Sequence, residues 1–422
     1  MFRLQLHWQI LIALGLAVLV GLAAGPETTV LGVKLHAVLA FFGTLFLNAL
    51  KMLIVPLVVS SIIMGMSGVA TEHGVGRLGL KTLSYYVFTS LLAILIGVLF
   101  VNLIQPGVVD GQPAKAILGL HAGTQAITQQ VAGHGMHDVL EVFLRMIPVN
   151  IVAAAAEGQM LGLIVFSLLV GYFITRLNEP QRGTQASFWQ GMLDIMMMMT
   201  DLVMRFAPVG VFALVGKVIL ESGLDAFRPL AVFFLTVLLA LAVHFLVVLP
   251  LLLRLVGRVN PLRHYRAMLP ALLTAFSTSS SSATLPVTME CVEKNAGVSN
   301  RTTSFVLPLG ATVNMDGTAL YECVAALFLA QAYGLHLGFV EQFTVIVLAL
   351  MTSIGVAGIP AASLVAITII LSSVGLPAEA VGLILAVDRI LDMCRTSVNV
   401  FSDSCGAVII ARTEGEKSVL QG

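Results

Sequence analysis

The sequence predicts an all-α membrane protein that crosses the bilayer several times and folds two re-entrant helical hairpins into its second half. Three observations predict it. The 422-residue chain is 58% hydrophobic and only 10% charged, with a mean hydropathy of +1.00, the composition of integral membrane proteins. Its apolar runs at 9–24, 37–66, 84–104, 151–175, 229–253 and 342–372 exceed the length of a core helix, and a span needs ~20 apolar residues. Its longest hydroxyl run, Ser277 to Ser282 in AFSTSSSSATLP, lies between two apolar arms too short to cross alone. The net charge of zero gives no bulk attraction to nucleic acid.

The first half reads as spans near 8–25, 37–67, 80–105, 149–177, 187–221 and 226–257. The first is expected to stay as an uncleaved helix rather than a signal peptide, because apolar spans continue along the chain. The last three are longer than a bilayer needs, so tilt or kinks are expected. Pro56 and Pro208 mark expected kinks inside spans, where neighbours can satisfy the freed backbone groups. With a cytoplasmic N-terminus, thirteen of the 22 basic residues fall at inner ends and loops and five outside. The positive-inside rule then places both termini in the cytoplasm. Tyr86, Thr89 and Ser90 put hydroxyls on one face of the third span.

After residue 258 the pattern changes. Segments 267–294 and 340–375 are both apolar arms around a soft centre, the second being SIGVAGIPAAS (353–363). Each is followed by a helix bearing polar groups, 302–333 with NMDGT and 377–411 with DRILDMCRTSVNVFSD. Interrupted hydrophobic segments at matching positions point to a transporter's binding site. One span separates the hairpins, so they enter from opposite sides and the repeat is inverted.

The last helix carries the charges. Asp388, Asp392, Arg395, Asn399 and Asp403 fall at about 0, 40, −20, 20 and 60 degrees around its axis, with Arg389 and Thr396 at the edge of the stripe. Charges in a bilayer are costly and turn towards a cavity or partner. One arginine cannot balance three acids, so a cation is expected there unless the charges pair in a helix seam. Asn314, Asp316 and Thr318, with Gly310 and Gly317 nearby, form a second cluster. Gly317 in mid-span suggests either freed carbonyls, hard ligands suited to an alkali cation, or close helix packing. The four cysteines show no metal or CxxC spacing. His134 and His137 are read as part of a solvated outer loop rather than a metal site.

The motifs STSSSSATLPVT (277–288), LPLGATVNMDGTALYE (307–322), SIGVAGIP (353–360) and LDMCRTSVNV (391–400) resemble the dicarboxylate/amino acid:cation symporter family, the glutamate/aspartate and neutral amino acid transporters. The likeness covers about residues 265–412, with YYVFTS (85–90) also matching. It implies eight transmembrane helices plus two re-entrant hairpins, a homotrimer in the plasma (inner) membrane, and an elevator mechanism. Residues 1–79 and 111–222 would form the scaffold. The transport domain would comprise 80–110, 223–257 and the core 258–412, with 413–422 a cytoplasmic tail.

The resemblance also implies a site. Asp392 would hold the substrate's α-ammonium and Arg395 its side-chain carboxylate. Thr318, Thr396 and Asn399 would stand alongside, and the hairpin tips, Ser279, Ser280 and Ser281 with Ala357, Gly358 and Ile359, would face the α-carboxylate. Na+ would be bound by Gly310, Asn314, Asn399 and Asp403; by Thr312, Ser353, Ile354 and Val356; and by Tyr86, Thr89, Ser90, Asn314 and Asp316. Glu322 would be the proton carrier where H+ is co-transported. Ser279 and Met393 stand where some relatives have an extra arginine, whereas this chain has Arg389 instead, which puts potassium counter-transport in doubt. Ala361 and Ser363 replace glycines often seen on the second hairpin.

The acid at Asp392 with the base at Arg395 points to an acidic L-amino acid, aspartate or glutamate. A purely proton-coupled symporter, and a neutral amino acid or C4-dicarboxylate carrier, are the alternatives within the family. An ion channel built on re-entrant loops, and a hydrolase with Ser281 as nucleophile, are the alternatives outside it. The hydrolase lacks a base, because no histidine is expected on the flanking helices and His264 reads as loop.

Overall fold

A computed structural model describes the chain except residues 1–5, 25–27, 31, 70–75, 116, 119–143, 145, 158, 223–226, 356–361, 378–379, 417–418 and 421–422. His134 and His137 therefore lie outside the described residues. The described chain is helical apart from two short ribbons, Thr29–Val30 with Val33–Lys34 and Val108–Val109 with Gln112–Pro113.

The first half forms α1 (Leu6–Ala23), α2 (Leu35–Val69), α3 (Gly76–Ile104), α4 (Ile151–Ala156), α5 (Met160–Ile174), α6 (Gln181–Met204), α7 (Ala207–Ser222), α8 (Phe227–Val243) and α9 (Leu249–Leu255). Among the described residues, three helices are long and apolar enough to cross a bilayer unbroken: Leu35–Ser67, Arg77–Ile104 and Phe227–Leu255. The expected span 187–221 is bent by 52° between α6 and α7. Pro208 sits in the first turn of α7, where its missing N–H costs nothing. Pro56, by contrast, lies inside α2, which continues past it although the proline has no N–H for the ladder. The expected span 149–177 is two helices, α4 and α5. Asn150 caps α4 by accepting the N–H groups of Val152 and Ala153, and the chain turns at Glu157.

The span from α8 to α9 runs through a π-helical turn at His244–Val248, where Leu249 donates to the carbonyl of His244. One extra residue in the turn is how a helix absorbs a locally broken ladder, and Pro250 supplies the break by having no N–H.

The second half follows the order hairpin, helix, hairpin, helix. The first hairpin is α10 (Pro261–Thr278) and α11 (Ser281–Glu290). Asn260 caps α10, and Ser280 caps α11 by accepting the N–H of Ala283. The turn is made at Ser279, in the left-handed region at φ 51° and ψ 35°, a conformation that costs a residue with a Cβ ~1 kcal/mol or more. Then come α12 (Asn300–Val313) and α13 (Asp316–Tyr333), separated by non-helical backbone at Asn314 and Met315. The second hairpin is α14 (Phe339–Gly355) and α15 (Ala362–Ser373), and α16 (Val381–Thr413) closes the chain.

Helix α1 packs on α7, and α2 packs on α5, α6 and α7. In the other group α13 is almost wholly buried among α3, α8, α14, α15 and α16. Phe233 stacks on Phe328 at 4.6 Å there, and Tyr265 stacks on Phe401 at 4.4 Å where α10 meets α16.

Candidate functional site

The stripe of α16 packs against the break between α12 and α13. Gly317, in the first turn of α13, is the contact point: a Cβ there would stand 2.6 Å from the carbonyl oxygen of Arg395. Its N–H donates to Asn399 Oδ1 at 2.8 Å, and Asn399 Nδ2 donates to Thr318 Oγ1 at 3.1 Å. Of the two readings of Gly317, close packing is therefore its role. The unwound backbone lies two and three residues earlier, at Met315 and Asn314.

Two polar clusters hang on α16. In the first, Arg395 is buried and donates from Nη1 to Asp388 (3.0 Å) and from Nε and Nη2 to Asp392 Oδ1 (3.0 and 2.8 Å). Its guanidinium carbon lies 4.4 Å from the centroid of the Tyr321 ring, in cation–π range. Arg389 reaches Asp392 Oδ2 at 3.3 Å. Two acids thus face two arginines, so the expected shortage of positive charge does not hold for this part of the stripe.

This cluster lines a cavity of about 420 Å³. Thr278 to Ser281 of the first hairpin, Thr318, Ser363, Thr396 and Asn399 share its wall. Ser279 Oγ and Ser363 Oγ are buried there and have no hydrogen-bond partner among the described residues. Its lining also includes Ile10, Phe46, Asp201, Arg205 and Val211 from α1, α2, α6, α7 and the turn between the last two.

The second cluster is sealed. Asn314 Nδ2 donates to Asp403 Oδ1 at 2.9 Å and to Ser402 Oγ at 3.0 Å, and Thr89 reaches Asn314 Oδ1 at 3.4 Å. Asp316 accepts from Ser90 (2.7 Å) and Ser402 (2.6 Å). Tyr86 donates to the Val306 carbonyl at 2.6 Å. A Cβ at Gly310 would come within 2.6 Å of Asp403 and 2.7 Å of the Tyr86 hydroxyl, so only glycine lets these oxygens converge. The Gly310 carbonyl accepts the Asn314 N–H at 2.8 Å. These are hard oxygen donors of the kind that hold alkali cations.

His244 was missed by the sequence reading. Its Nε2 lies 2.9 Å from Asp316 Oδ2, both side chains being fully buried. An ionised Asp316 carboxylate would accept from a proton on Nε2; Nδ1 has no partner among the described residues. A lone histidine within LALAVHFLVVLP was the available signal. His264 corrects a second expectation: it lies buried inside α10 and bonds Ser404 at 2.9 Å, which leaves Ser281 without it as a base.

Thr312 is exposed and Ser353 buried, on α12 and α14, which pack together. Ile354 stands one residue before Gly355, the last residue of α14, while Val356, Ala357, Gly358, Ile359 and Ala361 lie outside the described residues. Glu322, the expected proton carrier, does not line the cavity. It is fully buried and accepts from Thr352 at 2.8 Å, and its Oε1 has no partner among the described residues.

A bilayer-crossing chain with ionisable groups gathered at broken helices and a hairpin turn is a membrane transporter. The family model for the sodium:dicarboxylate symporter family matches residues 6–413, and the chain belongs to that family. It is 34% identical to the proton/sodium-glutamate symport protein of Geobacillus stearothermophilus, covering 100% of this chain and 97% of that one. It is 34% identical to the proton/glutamate-aspartate symporter of Escherichia coli (98% and 93%) and 39% identical to human excitatory amino acid transporter 3 (88% and 79%).

Proposed function

We propose that the chain imports an acidic L-amino acid, aspartate or glutamate, with Na+ and with H+ as a second coupling ion. The observation that carries this reading is the pairing of Asp392 and Arg395 on a cavity wall beside a sealed oxygen cluster. An ammonium suits Asp392 and a carboxylate suits the planar fork of Arg395. Na+ suits Asp316, Asp403 and the oxygens around them. The relatives named for glutamate, for aspartate, for sodium and for protons support the same assignment.

The architecture follows the family: eight spanning helices with two re-entrant hairpins, a homotrimer in the plasma membrane, both termini cytoplasmic. Helices α1, α2 and α4 to α7 serve as scaffold, and α3 with α8 to α16 as the moving transport domain. The cavity between the two groups supports that division. Glu322 serves as proton carrier, supported by its complete burial against the second hairpin through Thr352. Sodium on the sealed cluster fixes the α12–α13 break and hence Thr318 and Asn399. Sodium and substrate must then tighten each other equally.

Uptake of labelled aspartate into proteoliposomes, with sodium and pH gradients imposed separately, tests the reading. Accumulation driven by sodium and enhanced by a proton gradient is expected. Drive by protons with no sodium requirement would establish the purely proton-coupled alternative, and accumulation with neither gradient would overturn symport.

A further inference from the structure

Arg389 is not required by the function just described, yet it touches the group that function depends on. It lies one turn before Asp392 on α16 and lines the same cavity. Three features distinguish it from a decorative surface pair. First, its contact to Asp392 Oδ2 is long, 3.3 Å, against 2.8 and 3.0 Å for the contacts of Arg395 to Oδ1. Each oxygen of Asp392 therefore has its own arginine, one held tightly and one loosely. Second, Arg389 Nε is buried and donates to nothing among the described residues, so its guanidinium is not locked by a full set of acceptors. Third, charge closes only if it is counted. Asp388 and Asp392 against Arg395 leave one negative charge over, and Arg389 cancels it.

We propose that Arg389 is a tethered counter-cation, occupying in the empty site the Asp392 oxygen that the substrate's ammonium takes when bound. This rests on the acidic amino acid symporter reading. Substrate entry exchanges one cation for another at Asp392 Oδ2, and the released guanidinium stays in the cavity, near a ligand that carries two carboxylates. When substrate leaves, Arg389 returns, so the substrate pocket itself adds no uncompensated charge. That matters for the return step, because a bare charge moved into the membrane costs several kcal/mol. A tight Arg389–Asp392 pair would block the ammonium and a missing one would strand the acid; a loose, tethered one does neither.

The test compares two modes in proteoliposomes: exchange of labelled for unlabelled aspartate, which never requires the empty site to return, and net uptake into substrate-free vesicles, which does. Arg389→Ala and Arg389→Gln should lower the ratio of net uptake to exchange about tenfold or more. Arg389→Lys, which keeps the charge, should restore most of the ratio. Guanidinium in the vesicle lumen should raise net uptake by the alanine variant and leave the wild type unmoved. A parallel fall of both modes would make Arg389 a structural or substrate-binding residue and overturn the proposal, as would an unchanged ratio in the alanine and glutamine variants. Wild-type protein that performs neither mode overturns the symporter reading itself, a result distinct from either.

Discussion

The two ends of the α16 stripe hold acids in opposite settings. Towards the cavity, Asp388 and Asp392 are matched by Arg395 and Arg389. Three turns beyond Asp392, Asp403 and its neighbour Asp316 are met by serines, asparagine and the His244 ring, with no arginine or lysine against them among the described residues. Two buried carboxylates with no arginine or lysine beside them are costly, which favours the proposed sodium at that cluster. The first cluster carries its own cations, which under the proposal made above an ammonium displaces in part. The difference separates the two ligands: the unbalanced, sealed site suits a bare metal cation, and the balanced, open one suits a zwitterion with an extra carboxylate.

The largest expected effect comes from removing an acid from the sealed cluster. Asp403→Asn keeps the contact to Asn314 but not the charge, and should raise the sodium concentration for half-maximal uptake about 100-fold. Sodium titration of aspartate uptake measures it, and an unmoved midpoint would show that Asp403 holds no sodium. Next is Arg395→Cys. Loss of charge-assisted hydrogen bonds to a carboxylate should weaken aspartate by ~2–3 kcal/mol while uptake of serine or alanine appears. Competition assays would contradict this if aspartate stayed preferred.

A smaller effect tests the bridge between histidine and the sealed site. His244→Leu should weaken apparent sodium affinity about fivefold to tenfold, and His244→Gln less, since it keeps an N–H for Asp316. Equal losses in both variants would assign His244 to packing alone.

The smallest lies just beyond the C-terminal end of α16. Glu416 accepts from Ser299 and Thr302 at the start of α12. Burial alone would raise its pKa, but those hydrogen bonds outweigh it and hold the carboxyl below its ordinary 4.5. A depressed carboxylate contributes stability above its unfolded pKa and loses it as pH falls through the folded value. Thermal melts in detergent should therefore show acid weakening below about pH 4.5, flattened in Glu416→Gln, with a difference near neutrality of ~1 kcal/mol. Matching acid slopes for the two proteins would count against the contact.

Much was legible in the sequence because it is local. Composition sets the solvent as a bilayer, since a chain this apolar has no other phase to fold in. Helical periodicity places Asp388, Asp392, Arg395, Asn399 and Asp403 on one face whatever surrounds them, and the hydroxyl run between short apolar arms marks the turn at Ser279. Other features depend on how helices are rotated and staggered against one another. Which acid each arginine neutralises, the meeting of His244 with Asp316 72 residues away, and the turning of Glu322 from the cavity to Thr352 are of this kind. So are the break at Asn314 rather than Gly317 and the burial of His264 inside α10. Sequence spacing fixes angles within one helix, but the partners of a buried charge are chosen by the packing between helices, and only the tertiary structure decides that.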